Sequence, residues 1–179
     1  MLLDSNTKFG TISKLLHWLS ALVIFALFGV GFWMVDLNYY SEWYRTAPHW
    51  HKSIGILLLA LTLVRIAWKV ITVSPKPIST HSSKTRVVTK LGHLALYGIL
   101  LIILTSGYLI STADGRAIAV FGWFEVASLG ELIANQEDIA GSIHQYAAYS
   151  LMAIVGIHIL AALKHHFIDK DDTLRRMIK

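Results

Sequence analysis

The sequence predicts an all-α protein, a four-helix bundle that spans a membrane with both termini in the cytoplasm. Three observations carry that reading. Only 15% of the 179 residues are charged while 55% are hydrophobic, against about 25% charged in soluble domains. Four long apolar runs stand apart from one another, each close to the ~20 residues that cross a bilayer as a helix. The basic residues, finally, gather on one side of those runs. Cysteine is absent, which excludes disulfides, thiolate zinc sites, iron–sulfur clusters and covalently attached c-type haem. A net charge of +5 could suggest nucleic acid, but the placement of the charges suits a membrane and no nucleic-acid partner is expected.

The first span is expected over residues 15–36, beginning in the uncharged run Leu15–Val35 with His17 near its start. That run is too long for a signal-peptide core and no small-residue cleavage pattern follows it, so it reads as a retained helix. A loop rich in Tyr and Trp (Tyr39, Tyr40, Trp43, Tyr44) comes next, and such residues favour the membrane interface. The second span, 49–70, carries His51 near its start and Arg65 near its end. Ser74–Lys90 reads as a polar link in which His81 is solvated. The third span, 91–113, is uncharged and holds His93 at its beginning. The long segment Ser111–Gly141 contains an apolar piece, Ala117–Val126, suited to lying on or dipping into the interface. The fourth span, 139–165, runs without Asp, Glu, Lys or Arg from Ile139 to Leu163 and ends in a charged tail. All four fall in a single membrane domain covering residues 1–179.

Charge sets the expected orientation. Lys and Arg accumulate on the cytoplasmic side of membrane proteins. Thirteen of the 16 lie on the side shared by the termini and the Ser74–Lys90 link, leaving Arg45, Lys52 and Arg116 on the other. Spans one and three then enter from the cytoplasm, and spans two and four from outside.

This orientation sorts the histidines into two layers. His144 and His158 are 14 positions apart; at about 100° and 1.5 Å per residue they share a face of span four, roughly 21 Å apart. His51 or His49 lies at the depth of His144, and His17 or His93 at the depth of His158. Two imidazoles on facing helices can clamp a planar haem, and two nitrogen ligands leave the iron no open site, which suits electron transfer. Gly31 and Gly107 lie 14 residues beyond His17 and His93, where a missing side chain leaves room for a macrocycle. Arg65 lies 14 beyond His51 and is a candidate partner for a haem propionate. Each feature has a plainer reading. A membrane histidine can simply hydrogen-bond between helices, and glycines can serve close packing. Arg65 can snorkel to the surface, and His93, beside Lys90 at the membrane edge, suits an interfacial role.

The residues resemble the bacterial di-haem cytochrome b561 family of four-helix inner-membrane proteins. The resemblance rests on His17–Trp18, the HKSIG run from His51 to Gly55, Arg65, LGH ending at His93, GIH ending at His158, and HHFIDKDDTLRRM from His165 to Met177. It implies two haem b groups with His17, His51, His144 and His158 as axial ligands to iron, and no ligation by His93. It also implies electron exchange with ubiquinone and, for some members, oxidation of superoxide at the outer face. The function expected is superoxide:ubiquinone oxidoreduction, with Lys52, next to His51, as the outer-rim cation. His165, or else His166, is expected near the quinone head group, because quinol formation needs protons and histidine titrates near neutrality. The alternative is an electron-transfer subunit joining quinone to a partner dehydrogenase or hydrogenase. That reading draws on seven acidic outer residues (Asp36, Glu42, Asp114, Glu125, Glu131, Glu137 and Asp138), which do not steer an anion. A haem-free transporter or structural membrane protein is the third reading.

Overall fold

The structure, a computed structural model describing residues 1–179, contains four long helices: α1 (Thr11–Met34), α2 (Thr46–Ile71), α3 (Ser83–Thr112) and α4 (Gln136–Phe167). A two-stranded ribbon, β1 (Ile118–Val120) and β2 (Phe124–Val126), lies between α3 and α4, and a four-residue helix, α5 (Arg175–Ile178), ends the chain. All four long helices are long and apolar enough to cross a membrane, and together they form the expected bundle. In hydrocarbon every backbone polar group must be satisfied within the segment, which the helix achieves. Three small buried hydroxyls also bond within their own helix. Ser20 donates to the Leu16 carbonyl at 2.6 Å, Ser106 to Ile102 at 2.7 Å and Thr112 to Tyr108 at 2.9 Å.

All four observed helices start before the predicted spans, most of all α3, which starts eight residues before residue 91. Its first two turns carry Lys84, Arg86 and Lys90, too charged for lipid. They are nevertheless helical because Ser82 caps them, its hydroxyl accepting the Thr85 N–H at 3.1 Å. The polar link is therefore shorter than the sequence suggested.

The bundle core is compact and apolar. Leu27, Leu58, Leu100, Leu104 and Leu151 form its buried cluster, with Ile24 packed against it. Their positions follow a seven-residue ladder, about two helical turns or 10.5 Å per step. His51, Leu58 and Arg65 are rungs on α2, His93, Leu100 and Gly107 on α3, His144, Leu151 and His158 on α4, and His17, Ile24 and Gly31 on α1. An aliphatic plug thus divides the bundle midway between its two histidine layers. Around the bundle α1 packs on α2, α2 on α3, and α3 closely on α4.

The apolar piece of the outer segment folds as the ribbon. Ile118 pairs with Val126 and Val120 with Phe124. The three-residue connection opens with a β-turn closed by the Trp123 N–H donating to the Val120 carbonyl at 2.9 Å, whose central residues Phe121 (φ 48°) and Gly122 (φ 74°) both have the positive φ that suits a hairpin's twist. Ile118 and Val120 are buried. The buried Ser53 of α2 holds the ribbon down, donating to the Ala119 carbonyl (3.3 Å) and accepting the Phe121 N–H (3.2 Å).

The charge asymmetry yields a direct test of orientation. Because the chain has no cysteine, Ser79→Cys and Glu131→Cys are each a unique label. A membrane-impermeant maleimide applied to intact spheroplasts should label Glu131→Cys and spare Ser79→Cys; the opposite pattern would invert the topology.

Candidate haem sites

The outer layer forms where α2 faces α4. The His51 and His144 ring centroids are 6.2 Å apart and their planes are inclined at 70°. Two metal–imidazole bonds of about 2 Å each, plus two ring radii, come to roughly 6.4 Å, so the spacing suits one iron between the rings. His144 Nδ1 lies 2.9 Å from the Ile103 carbonyl. A carbonyl only accepts, so Nδ1 carries the proton and Nε2 keeps its lone pair, the tautomer a metal ligand needs. His51 Nδ1 is buried without a hydrogen-bond partner, so no protein group dictates its tautomer. His49 instead faces the ribbon, 6.1 Å from the Phe121 ring. The geometry therefore brings His51, and not His49, to His144.

The glycines meet these rings directly. A Cβ built at Gly31 would lie 3.1 Å from His51 Cε1, and one at Gly107 would lie 3.1 Å from His144 Cε1. Each glycine lets a neighbouring helix approach an imidazole edge. A cavity of about 730 Å³ lined by His51, His144, Gly31 and Gly107 opens outward past Lys52, Asp114 and Arg116. Cofactor sites commonly span ~300–1,000 Å³. The outer layer fits a haem in its donors, its spacing and its room.

The inner layer holds three imidazoles. His17 and His158 are 6.4 Å apart between centroids, and His93 and His158 are 5.7 Å apart. His93 is the exposed one of the three, and His17 and His158 are half-buried. Arg65 reaches this layer as its spacing predicted, but its first partner is a histidine. Its Nη2 lies 2.8 Å from His17 Nδ1, and its guanidinium sits over Tyr97 at 5.4 Å. Arginine only donates, so His17 Nδ1 accepts and the ring proton falls on Nε2. Ligation of iron through that nitrogen requires Arg65 to give up Nδ1, and the propionate expected at Arg65 is the group that could draw it away. The sequence offered no sign of the Arg65–His17 bond, since it shows common depth but not which group the guanidinium meets.

The ends of α3 and α4 remote from the ribbon carry a second constellation, and here one expectation is corrected. His81 is not solvated. It is half-buried and its Nε2 lies 2.8 Å from Asp171 Oδ2. His165 stacks against it, with centroids 4.7 Å apart, and its Nδ1 lies 2.9 Å from Asp169 Oδ2 and 3.1 Å from Asp171 Oδ2. Partial burial alone would raise the Asp171 carboxyl, but hydrogen bonds from Thr173 and His81 outweigh it and hold the group at about 2. A cavity of about 810 Å³ opens beside these groups. On the outer side Arg116 is bound to Asp114 at 2.7 Å, which leaves Lys52 as the unpaired cation on the rim of the outer cavity.

Four apolar spans with two layers of facing imidazoles define a membrane-embedded b-type cytochrome. Comparison with known proteins agrees. The family model for prokaryotic cytochrome b561 matches residues 8–179. "Cytochrome b561 homolog 2" of Escherichia coli (strain K12) is 50% identical over 175 residues, 98% of this chain and 93% of that protein. "Probable superoxide oxidase CybB" of Yersinia pestis is 26% identical over 97% of each chain. "Cytochrome b561 homolog 1" of E. coli (strain K12) is 24% identical over 96% of this chain and 97% of that protein. The chain belongs to the prokaryotic cytochrome b561 family, whose members are haem-binding, multi-pass bacterial membrane proteins of electron transport.

Independent layers should fail independently. His144→Ala and Gly107→Val are expected to remove the outer haem and spare the inner. His158→Ala and His17→Ala should do the reverse, and His93→Ala should keep both. Haem extraction and low-temperature optical spectra of the purified proteins measure this; two haems should persist only in the wild type and His93→Ala. Loss of a haem in His93→Ala with retention in His17→Ala would reassign the inner ligand.

Proposed function

We propose that the chain is a di-haem b oxidoreductase of the bacterial inner membrane that takes single electrons from superoxide outside and delivers them to ubiquinone inside. In this reading His51 and His144 hold the outer haem, His17 and His158 the inner one, and Arg65 a propionate. The two haems supply one-electron redox chemistry between the faces. The balance is two superoxide anions oxidised to two molecules of oxygen for each ubiquinone reduced to ubiquinol, with two protons taken up at the quinone. The observation that carries the donor side is Lys52. It is exposed, has no ion-pair partner and is among the residues lining the outer cavity, next to His51. The 26% identity to a probable superoxide oxidase over nearly the whole chain supports the same donor.

On the quinone side the chain offers His165. It ends the apolar part of α4 two turns beyond His158, and its neighbours Asp169 and Asp171 link it to the aqueous cavity. An imidazole there can relay a proton from water to the reacting carbonyl oxygen of the quinone.

The second reading rests on the outer acidic excess. A partner dehydrogenase or hydrogenase with a basic face could dock on it and exchange electrons with quinone through this subunit.

Two measurements separate these. Stopped-flow haem reduction by generated superoxide should be fast at low salt and slow as salt screens Lys52, the Debye length being about 10 Å at 0.1 M. Lys52→Glu should slow it by about tenfold at low salt. A slow rate insensitive to salt and to Lys52→Glu would transfer the proposal to partner docking. At the other face, His165→Ala should lower the rate of quinone reduction and alter its pH profile while both haems remain; an unchanged rate and profile would remove His165 from the quinone site.

A further inference from the structure

We propose that His81, His165 and Asp171 form a site for one divalent transition-metal ion, zinc foremost, that pins the α2–α3 link to the cytoplasmic end of α4. The inference goes beyond the redox function, and the site stands whether or not His165 serves a quinone.

The donor set comes first. Two imidazoles and a carboxylate are the ligands that suit zinc and its first-row neighbours, and three protein ligands leave a fourth position for water. One donor atom from each residue lies within 4.8 Å of the others. Tetrahedral bonds of about 2.0 Å place donors roughly 3.3 Å apart. The observed separations from Asp171 Oδ2 are 2.8 Å to His81 Nε2 and 3.1 Å to His165 Nδ1, both near that value, and all three donors lie within 4.8 Å of one another, so an ion would draw the two imidazoles in around the carboxylate.

The arrangement is also built rather than incidental. The Asp171 side chain is only 8% exposed. Its Oδ1 accepts the Thr173 N–H at 2.8 Å, which turns Oδ2 toward the two rings. The Asp171 N–H donates to the His165 carbonyl at 3.0 Å, folding the tail back across the helix end. Lys170, with φ 53°, makes that reversal possible. Most tellingly, His165 Nδ1 is buried with two carboxylate oxygens within 3.1 Å, yet it lacks the direction for a hydrogen bond to either. A buried nitrogen this close to anionic oxygens, without a hydrogen bond to either, is available as a co-ligand. Lys164 engages Asp169 at 2.7 Å, which leaves Asp171 as the carboxylate free to face both histidines.

Metal binding has a consequence for the proposed reaction. An ion on His165 withholds that imidazole from proton transfer, so zinc in the cytoplasm would slow quinone reduction.

The test uses tag-free, haem-loaded, full-length protein in detergent, with zinc ion itself as the probe. Equilibrium dialysis should find one tight zinc per chain. His81→Ala and Asp171→Asn should each weaken it by more than the ~10–100-fold cost of removing a residue that only supports a ligand. Zinc K-edge absorption of the wild type should show two imidazole shells, and the haem spectrum should not move. Equal zinc affinity in wild type, His81→Ala and Asp171→Asn, or a zinc shell without imidazole, would overturn the site. If His165→Ala abolishes zinc binding but leaves metal-free quinone reduction unchanged, the metal site holds and the quinone assignment fails; the converse result separates them the other way.

Discussion

The structure depends on imidazoles facing one another across gaps above and below an aliphatic core. Inside a bilayer the hydrophobic effect does not press helices together, because lipid is as apolar as leucine. Close packing and polar contacts between helices must supply the association instead. Here the leucine plug supplies the packing at mid-depth. Above and below it, each helix contributes a small or polar rung: glycine or histidine on α1 and α3, histidine or arginine on α2, and histidine twice on α4. Imidazoles exposed to lipid at those levels would be costly. Set opposite one another with room between, they become a reason for the bundle to close around a shared ligand.

The seven-residue ladder explains why two histidine layers and one aliphatic layer fit within a bilayer. Seven residues fall about 20° short of two full turns, so three successive rungs drift by only some 40° and keep facing inward. Helix geometry thus fixes the separation of the layers, and the leucines between them exclude water from the mid-plane.

Most of this frame could be read from the chain. The four spans, the depth of His17, His51, His144 and His158, and the special places of Gly31, Gly107 and Arg65 all follow from periodicity, which a sequence displays plainly. What periodicity does not display is azimuth between different helices. It left His49 open as an alternative to His51, which the fold answers by turning His49 toward Phe121. It placed Arg65 at the inner level without showing that its nearest acceptor is His17. The ribbon escaped as well, because a three-residue strand is too short for alternation to register. His81 was misread because a polar link of Ser, Thr, Lys and Pro looks solvated. Its burial comes from Asp171, 90 residues away, through a tail whose reversal at Lys170 has no strong sequence signal.

The two ends of the molecule are electrostatically unlike, and the difference bears on what each can do. The outer face is acidic in total, yet its cations are not equivalent: Arg116 is spent on Asp114, while Lys52 stands unpaired beside the cavity. A small anion responds to the local field at the cavity mouth, whereas a large partner integrates charge over the whole face. The same surface therefore favours a small anion at one point and a basic protein over its breadth. The inner face reverses the pattern. Its excess of lysine and arginine suits the anionic cytoplasmic leaflet, and within it Asp169, Asp171 and Asp172 form an acidic island around His81 and His165. An ionised Asp171, held at about 2 by its hydrogen bonds, keeps its charge at any physiological pH. It is thus a fixed anion beside two imidazoles, and a metal ion bound by those rings would be stabilised by the same carboxylate.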